Sequence, residues 1–118
     1  MKSIRSLLQF CTILPLGEHA DFDQFACRSY LYPIAGYVIG GLTALLVFWV
    51  RDPPIAAGLA IASVLILSGC HHFDGLLDLG DGLMAHGSRE KRISALTDRQ
   101  IGAGGVAAGI IILLLTFA

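Results

Sequence analysis

Three aspartates dominate the chemistry that this sequence could perform. Asp74, Asp78 and Asp81 stand at positions i, i+4 and i+7 of a stretch otherwise made of leucine, methionine and glycine. On a helix these positions fall on one face, because successive residues are rotated by about 100°. Like charges so placed repel each other, and no Lys or Arg lies between Arg51 and Arg89 to pair with them. A bound divalent cation would neutralise this repulsion, and three carboxylates on one face favour Mg²⁺.

Basic residues follow these carboxylates at once. Arg89, Lys91 and Arg92 come first, and Asp98 and Arg99 follow. Carboxylates that hold a metal beside guanidinium groups are an arrangement by which proteins bind a pyrophosphate. We therefore assign Arg89 and Arg92 to substrate phosphate. Two alternatives remain: the basic residues could serve membrane topology alone, and the aspartates could form a solvated face, although their leucine neighbours disfavour that.

Two further residues are candidates for catalysis. Asp98 could be another metal ligand or a general base, and it could equally pair with Arg99 or mark a helix boundary. His72 is a second candidate base, because histidine side chains in general exchange protons near neutral pH. Its alternative is an interfacial histidine bonded to backbone or water. Four glycines near these residues are expected to let a bulky ligand approach the backbone: Gly75, Gly80, Gly82 and Gly87.

The amino-acid composition indicates whether these residues belong to a soluble or a membrane protein. Hydrophobic residues make up 55% of the 118 residues and charged residues 14%, against about 25% charged in a typical soluble domain. This excludes a disordered tail and a disulfide scaffold, and the net charge of −1 argues against a nucleic-acid partner. The cysteines Cys11, Cys27 and Cys70 have no metal-binding spacing. The chain reads as an all-α membrane protein.

Three stretches without Asp, Glu, Lys or Arg predict membrane helices over residues 31–50, 54–73 and 101–118. Residues 1–28 are predicted as an interfacial segment with a short helix, in preference to a signal peptide. Residues 74–100 are predicted as the catalytic segment. Two glycine pairs have the spacing for close helix contact: Gly36 with Gly40, and Gly105 with Gly109.

The basic residues predict the orientation. Of the eight Lys and Arg residues, only Arg51 lies in the short turn near residue 51, and the others lie before residue 29 or within residues 74–100. Since cytoplasmic loops carry the excess of Lys and Arg, the N-terminus and the catalytic segment are predicted to be cytoplasmic, in a multi-pass protein of the cell membrane.

The acidic stretch and its surroundings resemble the cobalamin synthase family, the adenosylcobinamide-GDP ribazoletransferases. The strongest part is His72-x-Asp74-Gly75-Leu76-x-Asp78-x-x-Asp81-Gly82, and it continues through Arg89, Arg92 and Asp98-x-x-Ile101-Gly102-x-x-Gly105. Weaker matches are Thr12-x-x-Pro15 and Tyr32-Pro33-x-x-Gly36-x-x-x-Gly40, so the resemblance covers nearly all of the chain. Ile13 stands where the family often has a basic residue. Family members are longer and carry more membrane helices, so we expect this chain to correspond to their N-terminal half.

The resemblance implies that α-ribazole, or its 5′-phosphate, attacks the pyrophosphate of adenosylcobinamide-GDP. GMP leaves, and adenosylcobalamin or its 5′-phosphate forms. We assign Mg²⁺ as the cofactor, held by Asp74, Asp78 and Asp81. The expected partners are these substrates, membrane lipid, and the remaining half of the protein or other cobalamin-assembly proteins.

Two other functions stay open. The run Asp78-x-x-Asp81-Gly82-x-x-Ala85 also fits part of the signature of the CDP-alcohol phosphotransferases of phospholipid synthesis, but His86 stands where that family has arginine. A membrane subunit for cation transport would use carboxylates without any phosphate substrate. It is disfavoured because its carboxylates would be expected near the middle of a membrane span, whereas the aspartates of this sequence are predicted at the cytoplasmic end of one.

Overall fold

The computed structural model describes residues 2–17 and 29–118, and these residues form helices joined by turns, with no strand among them. The predicted all-α fold is thereby confirmed. The interfacial segment predicted over residues 1–28 is described as far as residue 17, and Cys27 and Arg28 lie outside the described residues. The helices are α1 (Lys2–Cys11), α2 (Tyr32–Val47, after a 3-10 turn at Ser29–Leu31), α3 (Pro53–Leu67), α4 (His71–Met84), α5 (Arg89–Leu96) and α6 (Ala103–Phe117).

The chain divides into two compact units at residue 70. In the first unit, which contains α1, α2 and α3, Leu7 and Cys11 of α1 are buried together with Ala35 of α2. The amide of Ile13 donates to the carbonyl of Leu67 at 3.0 Å and ties the chain after α1 to the end of α3. These contacts confirm a helix near the N-terminus, while its location at a membrane surface stays a prediction.

The ends of α3 follow from local chemistry. Asp52 is the N-cap, since its carboxylate accepts from the amide of Ile55 at 3.0 Å, and two prolines occupy the first turn, where no intrahelical amide is needed. The helix ends at Leu67 because Gly69 and Cys70 adopt φ values of 62° and 59°, which a right-handed helix cannot contain. The apolar run predicted as one helix over residues 54–73 is therefore interrupted, and residues 71–73 belong to α4.

No helix in the described ranges is by itself both long and apolar enough to cross a bilayer, and α3 and α4 meet that requirement only when they are taken together across their break. Large apolar side chains nevertheless remain exposed on the apolar helices, among them Tyr37 on α2 at 81% and Leu115 on α6 at 70%. A surface of this kind is typical of contact with lipid or with further protein. The predicted number of spans stays a prediction.

The second unit is built around α4, against which both α5 and α6 pack. Glycines bring α4 and α6 together: a Cβ on Gly80 would lie 2.8 Å from the carbonyl oxygen of Gly104, and one on Gly105 would lie 2.8 Å from that of Leu77. A Cβ on Gly109 would lie 2.8 Å from the side chain of Leu77. The close contact predicted for the Gly105 and Gly109 pair is confirmed.

Other glycines do not behave as expected. The positions that a Cβ would take on Gly36 and Gly40 have no described neighbour within 4 Å, so the contact predicted for this pair is not formed in the described part of α2. Gly80 and Gly82, which were expected to admit a ligand, are covered by α6 and by the side chain of Leu96. Gly75 alone of the glycines within α4 keeps open space beside it.

Candidate functional site

Two cavities adjoin the loop of residues 97–101, which connects α5 to α6. The first, which we name the acidic cavity, has a volume of about 290 Å³. The second, the loop cavity, has a volume of about 250 Å³. The acidic cavity is lined by Asp74, Asp78, Leu96, Thr97, Asp98, Arg99 and Ile101. The loop cavity is lined by Asp81, Met84, Ala85, Ala95, Asp98, Gln100, Gly102 and Gly104. Asp98 lines both, so the loop presents one carboxylate to two spaces.

Asp74 and Asp78 lie one turn apart on α4 and share the acidic cavity. Asp74 is exposed and Asp78 is half-buried. The predicted acidic helical face is confirmed for this pair, and the cavity adds what periodicity could not show: a third carboxylate, from Asp98, and a guanidinium, from Arg99, line the same space.

Asp81 has a different environment from the other two aspartates of α4. Its Oδ2 accepts from the amide of Gly102 and its Oδ1 accepts from the amide of Gly105, each at 2.7 Å. These are the N-cap and third residues of α6, whose amides have no partner within their own helix. The amides of Gly105 and Gly102, with a lesser contribution from Gly104, hold the pKa of Asp81 below its ordinary value. Asp81 therefore caps α6 from a neighbouring helix.

Glycine is required on the α6 side of this cap. A Cβ at residue 102 would lie 2.5 Å from Oδ1 of Asp81, and one at residue 105 would lie 2.7 Å from Oδ2. Any other residue type at Gly102 or Gly105 would push the carboxylate away, because distances below 3 Å are closer than a carbon and an oxygen normally approach. The run of glycines that begins α6 is thus explained by the carboxylate that it admits.

Asp98 is held by a turn within its own loop. Its Oδ1 accepts from the amide of Gln100 at 3.1 Å, a turn that aspartate commonly forms with the residue two positions on. The side chain is exposed. Within residues 2–17 and 29–118 no group donates a hydrogen bond to its second oxygen, so this oxygen is open to a ligand. Its predicted role as ligand or base stays a prediction.

The structure brings a different arginine to the acidic cavity from those predicted. Arg89 and Arg92 lie exposed on α5 and line neither of the two cavities, and His72, exposed in the first turn of α4, lines neither of them. Arg99 does line the acidic cavity. From the sequence, Arg99 was interpreted as an ion-pair partner of Asp98 or as a determinant of topology. Its position directly after Asp98 could have indicated that both residues line the same site.

A magnesium ion fits this site only as one shared with substrate. Among the residues that the structure describes, no three His, Cys, Asp or Glu side chains are grouped closely enough to hold a metal ion. Mg²⁺, however, is commonly bound by one or two carboxylates, with water and substrate phosphates completing its six ligands. Asp74 and Asp78 can supply such a pair, whereas both oxygens of Asp81 already accept hydrogen bonds.

Known proteins are similar to this chain over almost its whole length. The family model described as CobS, cobalamin-5-phosphate synthase, matches residues 3–118. Similar proteins named adenosylcobinamide-GDP ribazoletransferase occur in Methanosarcina mazei, at 37% identity over 95% of this chain and 41% of the relative, and in Deinococcus radiodurans, at 43% identity over 99% of this chain and 45% of the relative. The chain thus spans less than half the length of these relatives. No solved structure matches it significantly.

The match includes the acidic cavity, the cap on α6 and the loop between them, since all of these lie within residues 3–118. With nearly the full chain matched by one family model, this chain belongs to the cobalamin-5-phosphate synthase (CobS) family.

Proposed function

We propose that this chain forms the catalytic part of an adenosylcobinamide-GDP ribazoletransferase. The observation that carries the proposal is the acidic cavity, where two carboxylates of α4 meet the carboxylate and guanidinium of the loop of residues 97–101. This is the set of groups that phosphoryl transfer requires, because that reaction depends on positioning and charge neutralisation more than on covalent chemistry. Membership of the family and the names of the relatives favour this function over the CDP-alcohol phosphotransferase and cation-transport alternatives.

In the proposed reaction a hydroxyl of α-ribazole, or of its 5′-phosphate, attacks the phosphorus on the cobinamide side of the pyrophosphate. The bond from that phosphorus to the bridging oxygen breaks, GMP leaves with that oxygen, and the hydroxyl loses its proton. We assign acceptance of this proton to Asp98, and the oxygen of Asp98 that accepts no bond in the loop turn supports the assignment. His72 remains the second candidate base.

Binding of the pyrophosphate is assigned to a guanidinium and two carboxylates that line the acidic cavity. Arg99 would contact phosphate oxygens through charge-assisted hydrogen bonds. Asp74 and Asp78 would hold Mg²⁺, which when bound polarises the pyrophosphate and stabilises the departing GMP. Arg89 and Arg92 remain predicted phosphate contacts, from positions outside the two cavities. The predicted assignment of Asp81 to the metal has to be weighed against its hydrogen bonds to α6.

We further propose a multi-pass location in the cell membrane, with residues 74–100 on the cytoplasmic side. The exposed apolar side chains of α2, α3 and α6 support contact with lipid. The excess of Lys and Arg outside the turn near Arg51 supports the orientation. Nucleotide substrates such as adenosylcobinamide-GDP would then meet the acidic cavity on the side where nucleotides are made.

The test is transfer by the whole protein, purified in detergent, from labelled adenosylcobinamide-GDP to α-ribazole in the presence of Mg²⁺. Asp78→Asn should lower kcat by about 10²-fold or more, as expected for loss of a metal ligand. Glu90→Gln is the matched control, because Glu90 is an exposed carboxylate of α5 that lines neither cavity, and it should transfer at the wild-type rate.

Three outcomes would contradict the proposal. Transfer by Asp78→Asn within threefold of wild type would make the acidic face a solvated surface. Consumption of labelled CDP-diacylglycerol, with none of adenosylcobinamide-GDP, would favour the CDP-alcohol phosphotransferase. Flux of Mg²⁺ into liposomes without any phosphate substrate, together with no transfer, would favour a cation-transport subunit.

A further inference from the structure

We infer that Asp81 is a positioning residue rather than a ligand of the metal: by holding the first turn of α6 against α4, it sets the loop that carries Asp98 and Arg99. The inference rests on the proposed function, because it assigns Asp81 a role in the same reaction. It changes the role that the regular spacing of the three aspartates predicts.

The first step is the engagement of the carboxylate. Each oxygen of Asp81 accepts one short hydrogen bond from a backbone amide, from Gly102 at 2.7 Å and from Gly105 at 2.7 Å. Bonds from amides to an ionised carboxylate are among the stronger hydrogen bonds in proteins. The amides also lie at the positive end of the α6 dipole, which favours an anion there. A carboxylate held in this way has its charge already compensated by protein.

The second step is the separation of Asp81 from the other carboxylates of α4. Asp74 and Asp78 line the acidic cavity, whereas Asp81 lines the loop cavity. If Asp74 and Asp78 hold a magnesium ion, water and substrate oxygens would have to complete its ligands. Asp81 faces a different space, and both of its oxygens are held there by amides of α6.

The third step connects Asp81 to the loop. Thr97, at its first residue, is bonded back to α5, since its amide and its hydroxyl each donate to the carbonyl of Ser94 at 3.2 Å. The loop ends at Ile101, directly before Gly102, whose amide is bonded to Asp81. A loop of five residues fixed at both ends has little freedom. The position of Asp98 in the cavities therefore depends on Asp81.

Close packing reinforces this dependence. A Cβ on Gly104 would lie 2.7 Å from the carbonyl oxygen of Gly80 and 2.9 Å from Cβ of Met84, so the first turn of α6 already lies against α4 on both sides of Asp81. Loss of the carboxylate would remove the bonds to Gly102 and Gly105, and because there is no room for closer packing we expect the first turn of α6 to move away from α4. That movement would carry the loop and Asp98 with it.

The experiment compares Asp81→Asn, Gly105→Ala, their double variant and Asp78→Asn in the whole protein, by steady-state transfer at a series of Mg²⁺ concentrations. An asparagine can accept from one amide but presents an NH₂ group to the other, and an alanine at residue 105 displaces the carboxylate. Both single variants should lower kcat by about 10- to 100-fold, the loss expected for one charge-assisted hydrogen bond. Their Mg²⁺ midpoints should stay within about twofold of wild type, because the metal ligands are intact.

The pattern across the variants distinguishes the roles. The double variant should be no slower than the slower single variant, since both remove the same contact. Asp78→Asn should raise the Mg²⁺ midpoint instead. The inference is overturned if Asp81→Asn raises the Mg²⁺ midpoint as much as Asp78→Asn does while Gly105→Ala leaves it unchanged. It is equally overturned if the variants lower only the melting temperature and folded molecules keep the wild-type kcat.

Hydrogen exchange separates this inference from the proposed function. Peptides that cover residues 102–105 should exchange at least about tenfold faster in Asp81→Asn than in wild type, because the hydrogen bonds donated by two backbone amides are weakened. Peptides from α3 should be unchanged. This readout needs no activity: accelerated exchange in a protein that transfers nothing would reject the proposed function alone, and unchanged exchange in an active protein would reject the hold of Asp81 on α6.

Discussion

At the scale of single residues, three aspartates with the same helical spacing have different surroundings. Asp74 and Asp78 line the acidic cavity, and Asp81 faces the first turn of α6. The difference arises because α6 begins opposite only one of them. Amide groups at a helix N-terminus have no intrahelical partners, so they donate hydrogen bonds to the nearest aspartate, which is Asp81. The other two line the acidic cavity, where we propose that they hold the metal.

A prediction at this scale concerns the arginines. Arg99→Ala should raise the KM for adenosylcobinamide-GDP by about tenfold or more, because it removes a charge-assisted contact to phosphate from the acidic cavity. The Mg²⁺ midpoint should stay at the wild-type value. The measurement is the KM of the whole protein at saturating Mg²⁺.

Arg89→Ala and Arg92→Ala provide the comparison. Both arginines were predicted from the sequence to bind phosphate, but they lie outside the two cavities, and we expect smaller changes in KM from them than from Arg99→Ala. A larger increase in KM for either of these variants than for Arg99→Ala would place the phosphates on α5 instead.

At the scale of the elements, the approach of α6 to α4 depends on glycine on both helices. Gly80 on α4 meets Gly104, Gly105 and Ala108 on α6, with no room for a Cβ. This proximity allows the side chain of Asp81 to reach backbone amides, because a carboxylate on a short aspartate stem cannot bridge an ordinary separation between helices. The glycines that cost helix stability in isolation thus create the cap that the tertiary structure uses.

Two glycines of one helix provide a matched prediction. Gly80→Ala should lower the free energy of unfolding by about 1–3 kcal/mol, because the added methyl would lie 2.6 Å from Cβ of Ala108 and 2.8 Å from a carbonyl oxygen. Gly75→Ala should raise it by about 0.5–1 kcal/mol, because nothing lies within 4 Å of the new methyl and alanine is the better helix former. Equilibrium unfolding in mixed detergent measures both.

The opposite signs are the essential result. If both variants destabilise equally, glycine in α4 serves flexibility of the helix as a whole. The contact with α6 would then not explain the difference between the two positions.

At the scale of the whole molecule, the apolar helices leave much of their surface uncovered. Exposed aliphatic side chains run along α6 from Val106 to Leu115, and the first unit buries only Leu7, Cys11 and Ala35 as its described apolar core. Water does not stabilise such a surface. Lipid and the sequence that the relatives have beyond the matched part are the two environments that we expect to cover it.

The prediction at this scale is the orientation in the membrane. In a background without native cysteines, Ser88→Cys should be protected from a membrane-impermeant thiol reagent added to intact cells, and Arg51→Cys should react. Arg51 is preferred to the adjacent Asp52 as the probe, because the carboxylate of Asp52 caps α3. The measurement is labelling before and after permeabilisation. Reaction of residue 88 from outside intact cells would reverse the proposed topology.

The sequence by itself determined the all-α fold, the helical face of the aspartates and the family, since each depends on residue type and short spacing. The break after Leu67 was not predicted, because an apolar run gives no sign that Gly69 and Cys70 both adopt positive φ values. Only the tertiary structure decided that Asp81 binds α6 and that Arg99 lines the acidic cavity. The reason is physical: the bond from Asp81 to Gly105 joins residues 24 positions apart, and such a contact exists only once two helices have packed. Periodicity determines which residues share a face, and packing determines what lies opposite that face.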